Sequence, residues 1–456
     1  MSTTSSKLIA VLALGSITLL RVPFYIGNQL WAHGLVLVPF VLAIGWALPR
    51  LRPGVIRHSG AVMLAAYVAL IAIALWRGVM VDAYTGTTVG VFTDFATYGV
   101  VAIFAATLLA SADTPEDRSL RVAAVALAPA AYVAVNALLH IGGAVSPSFL
   151  DPTTRSAAAG GSTQLLALVG IDATRVQFPL AQSVNNFGVV AAAGLAACVV
   201  IGLRARGAWR AIYAAGAAVS LYGVVLCDSR GPLLVAIGVM VLLGVFRRVR
   251  AATTALPVVL LASPAIVVAS LGVLAGTGSL GGLARSGSDF GSANNRLFIW
   301  QGAWDILSHP SLSQLFGWGA AGQITSGAAV RYAYVFVGSA DPTSAPLHNI
   351  VLQTIFDSGY VGLAVLVVVL SMAIRFLQQE FAAAPSSAAS GLLAGLLVVL
   401  LSGMTEVVPT YYSPEALMFV LLVLGVAMQM PARRPEPARL PAASARRSRP
   451  STVSPH

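Results

Sequence analysis

Long apolar blocks separated by short polar segments make up most of this chain of 456 residues. Most blocks are about 16 to 22 residues long, close to the roughly 20 residues that a helix needs to cross a bilayer. They do not show the short alternation of apolar and polar positions that is typical of outer-membrane barrels. The pattern predicts an all-α integral membrane protein with about twelve transmembrane helices. We place the spans near residues 8–25, 30–48, 60–76, 91–110, 120–140, 187–203, 209–227, 232–246, 254–276, 350–374, 388–404 and 413–430.

Two of the polar connections are long, at residues 141–186 and 277–349. The second begins with a Gly/Ser-rich stretch at 276–292, a composition typical of flexible segments. The last 26 residues are rich in Pro, Ala, Arg and Ser, which predicts disorder. We therefore divide the chain into helices 1–9 (1–276), a large loop (277–349), helices 10–12 (350–430) and a tail (431–456).

The composition excludes a water-soluble protein. Hydrophobic residues make up 57% of the chain and charged residues only 9%, whereas soluble domains contain about 25% charged residues. Cys198 and Cys227 both lie inside apolar blocks, which argues against a disulfide framework or a cysteine metal site. We find no metal-binding motif and no nucleotide-binding motif, so we expect no cofactor.

The basic residues predict the orientation of the chain. The net charge is +11, but the arginines lie between spans, where they contact lipid headgroups rather than nucleic acid. If the N-terminus is cytoplasmic, 19 of the 27 basic residues fall on the cytoplasmic side and 8 on the other. Cytoplasmic loops carry such an excess. The sequence therefore predicts a multi-pass protein of the cytoplasmic (inner) membrane, with both termini in the cytoplasm and both long loops outside.

Arg230 is the first candidate for chemistry. It lies in the motif Asp228-Ser229-Arg230-Gly231, a very short connection between two apolar spans on the predicted outer side. A charged side chain at the membrane is costly unless it has a partner or a function. Two interpretations stay open: an ion pair with Asp228 that stabilises the turn, or a site for an anionic group.

The large loop carries the second candidate, Arg296. A helix is predicted from about 296 to 307, because the two Asn residues at 294–295 can cap it and His309-Pro310 ends it. Arg296 and Trp300 share one face of this helix, and Trp304 is one turn further on. The helix fits an interfacial element with tryptophans at headgroup level. In a functional interpretation, Arg296 faces an anion, while Trp300 and Trp304 offer apolar surface to a sugar ring or a prenyl chain.

His348 is the third candidate. It is followed by Asn349, and further polar residues continue into the tenth span. One interpretation is a helix cap with polar residues facing the interior of the bundle. The other is a general base, since histidine is the side chain whose ordinary pKa of about 6.5 suits proton transfer near neutrality.

Taken in this order, these elements resemble the O-antigen ligase/polymerase superfamily of envelope glycosyltransferases, over roughly residues 170–430. The matching features are a Ser-Arg-Gly turn, an Arg-plus-Trp helix, a His-Pro…Gly-x-Gly segment and a His-Asn followed by Gly-x-x-Gly. They lie at Ser229-Arg230-Gly231, Arg296 with Trp300 or Trp304, His309-Pro310 to Gly317-Trp318-Gly319, and His348-Asn349 to Gly359 and Gly362. A weaker match runs from Arg175 to Asn185-Asn186-Phe187-Gly188.

The resemblance implies a polytopic fold like that of the GT-C glycosyltransferases and an enzyme that uses a polyprenyl diphosphate-linked glycan as donor. The acceptor would be a glycan, a lipid or a protein. Arg230, Arg296 and His348 are then the expected catalytic residues, with the arginines on the diphosphate and His348 as the base. The expected substrate-binding residues are Arg175, Asn186, Trp300, Trp304 and Asn349. Transfer would be inverting and independent of metal.

Two other classes of protein fit the apolar pattern. A solute or anion transporter could use Arg230 for its ligand, although the sequence shows no internal repeat. A purely structural membrane protein is the third interpretation. Release of prenyl diphosphate, as opposed to accumulation of a solute in vesicles, would distinguish the enzyme from the transporter.

Overall fold

The computed structural model describes residues 2–51, 58–81, 88–147, 163–246, 250–266, 296–336, 345–384 and 388–429. Within these ranges the chain is 80% helical and has no strands, which confirms the predicted all-α class. The Gly/Ser-rich stretch 276–292, the tail 431–456 and the middle of the 141–186 loop lie outside these ranges.

Thirteen helices of more than ten residues are described. They are α1 (Ser2–Tyr25), α2 (Leu30–Ala47), α3 (His58–Met80), α4 (Thr88–Ala110), α5 (Pro115–Ile141), α6 (Val184–Gly202), α7 (Ala208–Leu226), α8 (Arg230–Met240), α9 (Arg250–Leu261), α10 (Arg296–Leu307), α11 (Ile350–Ala383), α12 (Ala388–Ser402) and α13 (Pro414–Gln429). A π-helical turn, Val241–Phe246, continues α8. Short helices lie at Gln164–Ala167, Leu312–Phe316, Gly322–Thr325 and Ala328–Tyr332.

Each predicted span overlaps a helix, although only residues 254–266 of the ninth span lie within the described ranges, and α10 is the additional helix expected in the large loop. Eight helices in the described ranges are long and apolar enough to cross a membrane. Three more apolar helices are shorter, at Arg230–Gly244, Ala388–Ser402 and Pro414–Gln429. The protein is therefore a multi-pass membrane protein, while twelve crossings stay a prediction.

Helices α6, α12 and α13 form the centre of the bundle, and nearly all of their side chains are buried. α6 packs against α5, α7, α8 and α12. The contact surface of α6 is rich in small residues, including the buried alanines at 191–193. Small side chains let helix backbones approach closely, which is how transmembrane helices gain packing contacts.

Several helix ends meet at one end of this bundle. The turn between α7 and α8 lies against the start of α6, where a Cβ on Gly188 would overlap the side chain of Ser229. The connection between α12 and α13, residues 403–413, is called here the 403–413 loop. The backbone N–H of Ile350, at the start of α11, donates to Gly403 O over 2.8 Å in this loop. These contacts hold the Ser229-Arg230 turn against the start of α6 and the start of α11 against the 403–413 loop.

Candidate active site

A carboxylate connects two of the residues that the sequence singles out. Arg296 is the first residue of α10, and its Nη2 lies 2.5 Å from Oε1 of Glu406. His348 precedes α11, and its Nδ1 lies 3.3 Å from Oε2 of the same carboxylate. Glu406 belongs to the 403–413 loop, so three segments that are distant in sequence meet here. These three side chains are called the Arg296/Glu406/His348 cluster.

The surroundings of Glu406 keep it ionised. Burial raises the pKa of its carboxyl, but the Arg296 guanidinium and the hydrogen bond with His348 outweigh burial, and the pKa lies below its ordinary value. Arg175 contributes in the same direction. An ionised carboxylate only accepts hydrogen bonds. Nδ1 of His348 must therefore be the donor in this pair, which leaves Nε2 of a neutral imidazole as the proton acceptor.

The backbone at His348 turns sharply before α11 begins. Its φ is +49°, a left-handed conformation that few non-glycine residues adopt. Asn349 stabilises the turn: its Oδ1 accepts from the backbone N–H groups of Val351 and Leu352 at 2.9 and 3.0 Å. Its Nδ2 donates to Met404 O at 2.9 Å and to Ser263 Oγ at 3.0 Å. Asn349 is completely buried, so it joins the His348 turn to the loop that carries Glu406.

The two tryptophans of α10 differ in their surroundings. Trp300 is only 5% exposed, and its Nε1 donates to Leu347 O over 2.8 Å. It packs in a small apolar cluster with Tyr332, so its ring supports the backbone next to His348. Trp304 is 69% exposed and offers the apolar surface that the sequence predicts for both. α10 ends at Leu307, as the His-Pro signal predicts, while the predicted cap at 294–295 lies outside the described ranges.

Arg230 starts α8, and its side chain is 13% exposed. Its Nε lies 3.7 Å from Asp228 Oδ2, so the ion pair proposed as one interpretation is present. Its Nη1 also donates to Oε1 of Gln164 over 2.6 Å. Asp228 in turn accepts from the backbone N–H of Leu165 at 3.1 Å. The Ser-Arg-Gly turn is thus bound to a second segment, which comes from the first long loop.

Arg175 and Asn186 hold neighbouring parts of the same region. The buried Arg175 donates from Nε to Cys227 O at 2.7 Å and from Nη2 to Asn185 Oδ1 at 3.0 Å. Asn186 donates from Nδ2 to Tyr412 O at 2.7 Å, at the far end of the 403–413 loop. Arg175 therefore lies beside the Arg230 turn and acts electrostatically on Glu406. Arg175 thus links the backbone of the Arg230 turn to the electrostatic surroundings of Glu406.

The charges of this region favour an anionic ligand. Three guanidinium groups, those of Arg175, Arg230 and Arg296, are accompanied by the two carboxylates of Glu406 and Asp228. One positive charge is left over within this set of five. Guanidinium groups bind phosphate through two parallel hydrogen bonds and stay charged at every physiological pH. A diphosphate is the kind of group that such a region can hold.

The Gly-x-Gly segment of the large loop binds to a kink in α11. Trp318 N donates to Phe356 O at 2.7 Å, and Gly319 N donates to Asp357 O at 3.1 Å. The kink occurs at Gly359, where φ is +72° and a Cβ would overlap the carbonyl group of Leu315. The Gly317-Trp318-Gly319 motif thus meets the Gly359 motif of α11, through backbone contacts that require glycine.

Glu406 is the residue that the sequence interpretation missed. It lies two residues beyond the predicted eleventh span, where no spacing pattern connects it with Arg296 or His348. A signal was nevertheless present. An acidic side chain between two closely spaced apolar spans is costly without a partner, and this argument would have placed it beside Arg230 and Arg296 as a candidate.

The comparison with protein families agrees with this site. Residues 215–367 match the family described as O-antigen ligase. The matched segment runs from the middle of α7 to the middle of α11 and includes Arg230, Arg296 and His348, whereas Glu406 and Arg175 lie outside it. No curated protein matches the chain. The matched residues make up about a third of the chain and are similar to an O-antigen ligase domain, which supports the resemblance drawn from the sequence motifs.

Proposed function

We propose that this enzyme moves a glycan from a polyprenyl diphosphate carrier to an acceptor hydroxyl on the outer face of the cytoplasmic membrane. The observation that carries the proposal is the convergence on the Glu406 carboxylate of Arg296 and His348, both of which lie in the segment that matches the O-antigen ligase family. A phosphate-binding cation and a proton acceptor are the two groups that such a transfer requires.

The donor breaks the bond between its anomeric carbon and a diphosphate oxygen, and negative charge develops on the leaving group. Arg296 and Arg230 are proposed to stabilise this charge. Removing one such preorganised stabiliser typically lowers kcat by about 10²–10³. Because guanidinium groups can neutralise the diphosphate, transfer is proposed to be independent of metal.

The acceptor oxygen attacks the anomeric carbon as the diphosphate leaves, and its proton passes to Nε2 of His348. Attack from the side opposite the leaving group inverts the anomeric configuration. The products are the lengthened acceptor and the free polyprenyl diphosphate. Among the remaining predicted residues, Arg175 acts electrostatically on Glu406, and Trp304 has an exposed ring for a sugar or prenyl contact. Asn186, Trp300 and Asn349 support the site through backbone contacts.

The proposal is tested with the purified protein in proteoliposomes that contain a polyprenyl diphosphate-linked glycan and an acceptor glycan. Release of polyprenyl diphosphate is measured together with the elongated product. We expect Arg296→Lys to lower kcat about 10²-fold or more, because a point charge cannot replace the two-pronged guanidinium. His348→Ala should lower kcat by about 10²–10⁴ with little change in donor affinity.

Matched controls come from the same outer region. Arg331 pairs with Asp305 and is 46% exposed, so Arg331→Lys should leave transfer within a few-fold of wild type. His309 is exposed and contacts Asp305 O and Ser308, so His309→Ala should do the same. Equal losses in control and site variants would reject the assigned roles. Accumulation of a solute in vesicles, without release of polyprenyl diphosphate, would support a transporter instead.

Two finer features are tested separately. Transfer should survive EDTA, and a loss of activity that Mg²⁺ or Mn²⁺ restores would reveal a metal requirement.

Reporter fusions in the 203–210 connection should report the cytoplasm, and fusions within 312–336 should report the outside. The opposite orientation would remove the cluster from the membrane face that the proposal assigns to the donor.

A further inference from the structure

The two oxygens of Glu406 serve two different residues of the cluster. Oε1 accepts from Arg296 at 2.5 Å, and Oε2 faces Nδ1 of His348 at 3.3 Å. The first contact is the shorter of the two, as a charge-assisted pair of guanidinium and carboxylate should be, and the second is long for a hydrogen bond. The carboxylate is therefore held more closely by the arginine than by the histidine.

A diphosphate would compete with Glu406 for the same guanidinium. It offers more negative charge than a carboxylate and several oxygens in the spacing that a guanidinium binds. Any contact that Arg296 makes with the diphosphate weakens its hold on Oε1. The carboxylate is then left with His348, which faces it across 3.3 Å from the α11 side. The charged groups that act on Glu406 in this arrangement are Arg296, His348 and Arg175.

We propose that Glu406 is the positioning residue for His348 and that donor binding at Arg296 transfers the carboxylate from the arginine to the histidine. This inference rests on the proposed function and adds a step to it: the existing contact between His348 and Glu406 tightens when the diphosphate takes Arg296. A carboxylate that accepts from Nδ1–H fixes the ring and its tautomer, which directs Nε2 toward the acceptor hydroxyl. Proton abstraction is thereby coupled to the presence of the leaving group.

The first test is Glu406→Gln, which keeps the size of the side chain and one acceptor oxygen but removes the charge. If Glu406 positions the base, kcat should fall at least about 10-fold, within the 10²–10⁴ that a base contributes. The KM for the donor should stay constant or fall, because Arg296 loses its competitor. Glu406→Asp, which retains the carboxylate, should recover part of kcat.

Glu415→Gln is the matched control. Glu415 follows the 403–413 loop, is completely buried and pairs with Arg21 at 3.3 Å, so the substitution also removes a buried carboxylate beside an arginine. It lacks the contact with His348. Comparison of the two variants separates a general loss of stability, measured by thermal unfolding, from the specific loss of kcat.

The decisive measurement is a double-mutant cycle with His348→Ala. If Glu406 acts through His348, Glu406→Gln should lower kcat at least about 10-fold in the wild-type background and less than about twofold in the His348→Ala background. Losses that multiply would overturn the proposal, and so would a rise in donor KM that accounts for the whole effect.

A second measurement needs no turnover. Inorganic diphosphate should bind Glu406→Gln more tightly than wild type, and this gain should vanish in the Arg296→Lys background. Suppose that diphosphate binds Glu406→Gln more tightly but that the losses of kcat in the double-mutant cycle multiply. Glu406 would then act only on donor binding, and its proposed action on His348 would be rejected. Absence of any glycan transfer by the wild-type protein would instead reject the proposed function itself.

Discussion

Replacement of Asn349 by alanine is the perturbation that best tests how the site is assembled. The Asn349 carboxamide accepts from two backbone N–H groups at the start of α11 and donates to Met404 O and Ser263 Oγ. Truncation to alanine removes all four contacts. The turn that holds His348 would lose its link to the loop that holds Glu406, so both members of the cluster should shift.

The size of the effect follows from the contacts. Loss of an N-cap side chain typically costs about 0.5–2 kcal/mol. The partly buried carbonyl of Met404 loses a donor, and such a hydrogen bond contributes about 0.5–1.5 kcal/mol. The two contributions sum to about 1–3.5 kcal/mol; a value of about 2 kcal/mol, near the middle of that range, is roughly a 30-fold shift in the equilibrium between the closed and open turn at about 1.4 kcal/mol per tenfold.

Hydrogen exchange of the 347–356 peptide measures this shift directly. In Asn349→Ala, the amides of Val351 and Leu352 should exchange about 30-fold faster than in wild type, and glycan transfer should fall by at least tenfold. Asn349→Asp is the informative partner, because it keeps the cap acceptor but loses the donor to Met404. It should protect the two amides while still impairing transfer. Wild-type transfer in Asn349→Ala would show that the reasoning is wrong.

Three further outcomes are expected from the same structure. Trp300→Phe leaves a buried carbonyl without its donor and should cost about 1–3 kcal/mol of stability in thermal unfolding, whereas Trp304→Phe at the exposed ring should change it by less than about 0.5 kcal/mol. Gly359→Ala should abolish transfer, because the backbone of Leu315 and Phe316 lies against its Cα and φ is positive there, whereas Gly99→Ala meets open space and should be tolerated in an activity assay. Glu406 has a lowered pKa in the folded protein, so its contribution to stability is fully present above about pH 4.5 and is lost as the pH falls through the folded value. The difference in Tm between wild type and Glu406→Gln should therefore be constant from pH 5 to 8 and shrink only at lower pH.

The apolar pattern was sufficient to predict the helices, because the hydrocarbon of a bilayer imposes a length and a composition on every span. The order of local motifs was sufficient to identify Arg230, Arg296 and His348. Each motif is a short run of residues, and the types of those residues indicate its chemistry without knowledge of the fold.

The contacts between these motifs could not be predicted in the same way. Glu406 lies 110 residues from Arg296 and 58 from His348, and no periodicity connects side chains at such separations. Trp300 and Trp304 are one helical turn apart, yet their exposures are 5% and 69%. That difference depends on which face of α10 meets Tyr332. For Asn349 the resemblance implied a substrate contact, whereas the other interpretation of the polar run, a helix cap, is the one that its carboxamide shows.

In the proposed reaction, the kink at Gly359 also determines the height of His348 above the lipid tails. α11 contains 34 residues, which at about 1.5 Å per residue would form a rod of about 51 Å, far longer than the roughly 30 Å of hydrocarbon. After the kink, residues 360–383 are long enough to cross the bilayer. Before it, residues 350–358 form about 14 Å of helix with His348 at its start. The distance from the kink to the base is thus a fixed length, while the diphosphate of a lipid-borne donor rises or sinks with the headgroups. Transfer should therefore depend on acyl-chain length, with an optimum in bilayers whose thickness brings the headgroup plane level with Arg296.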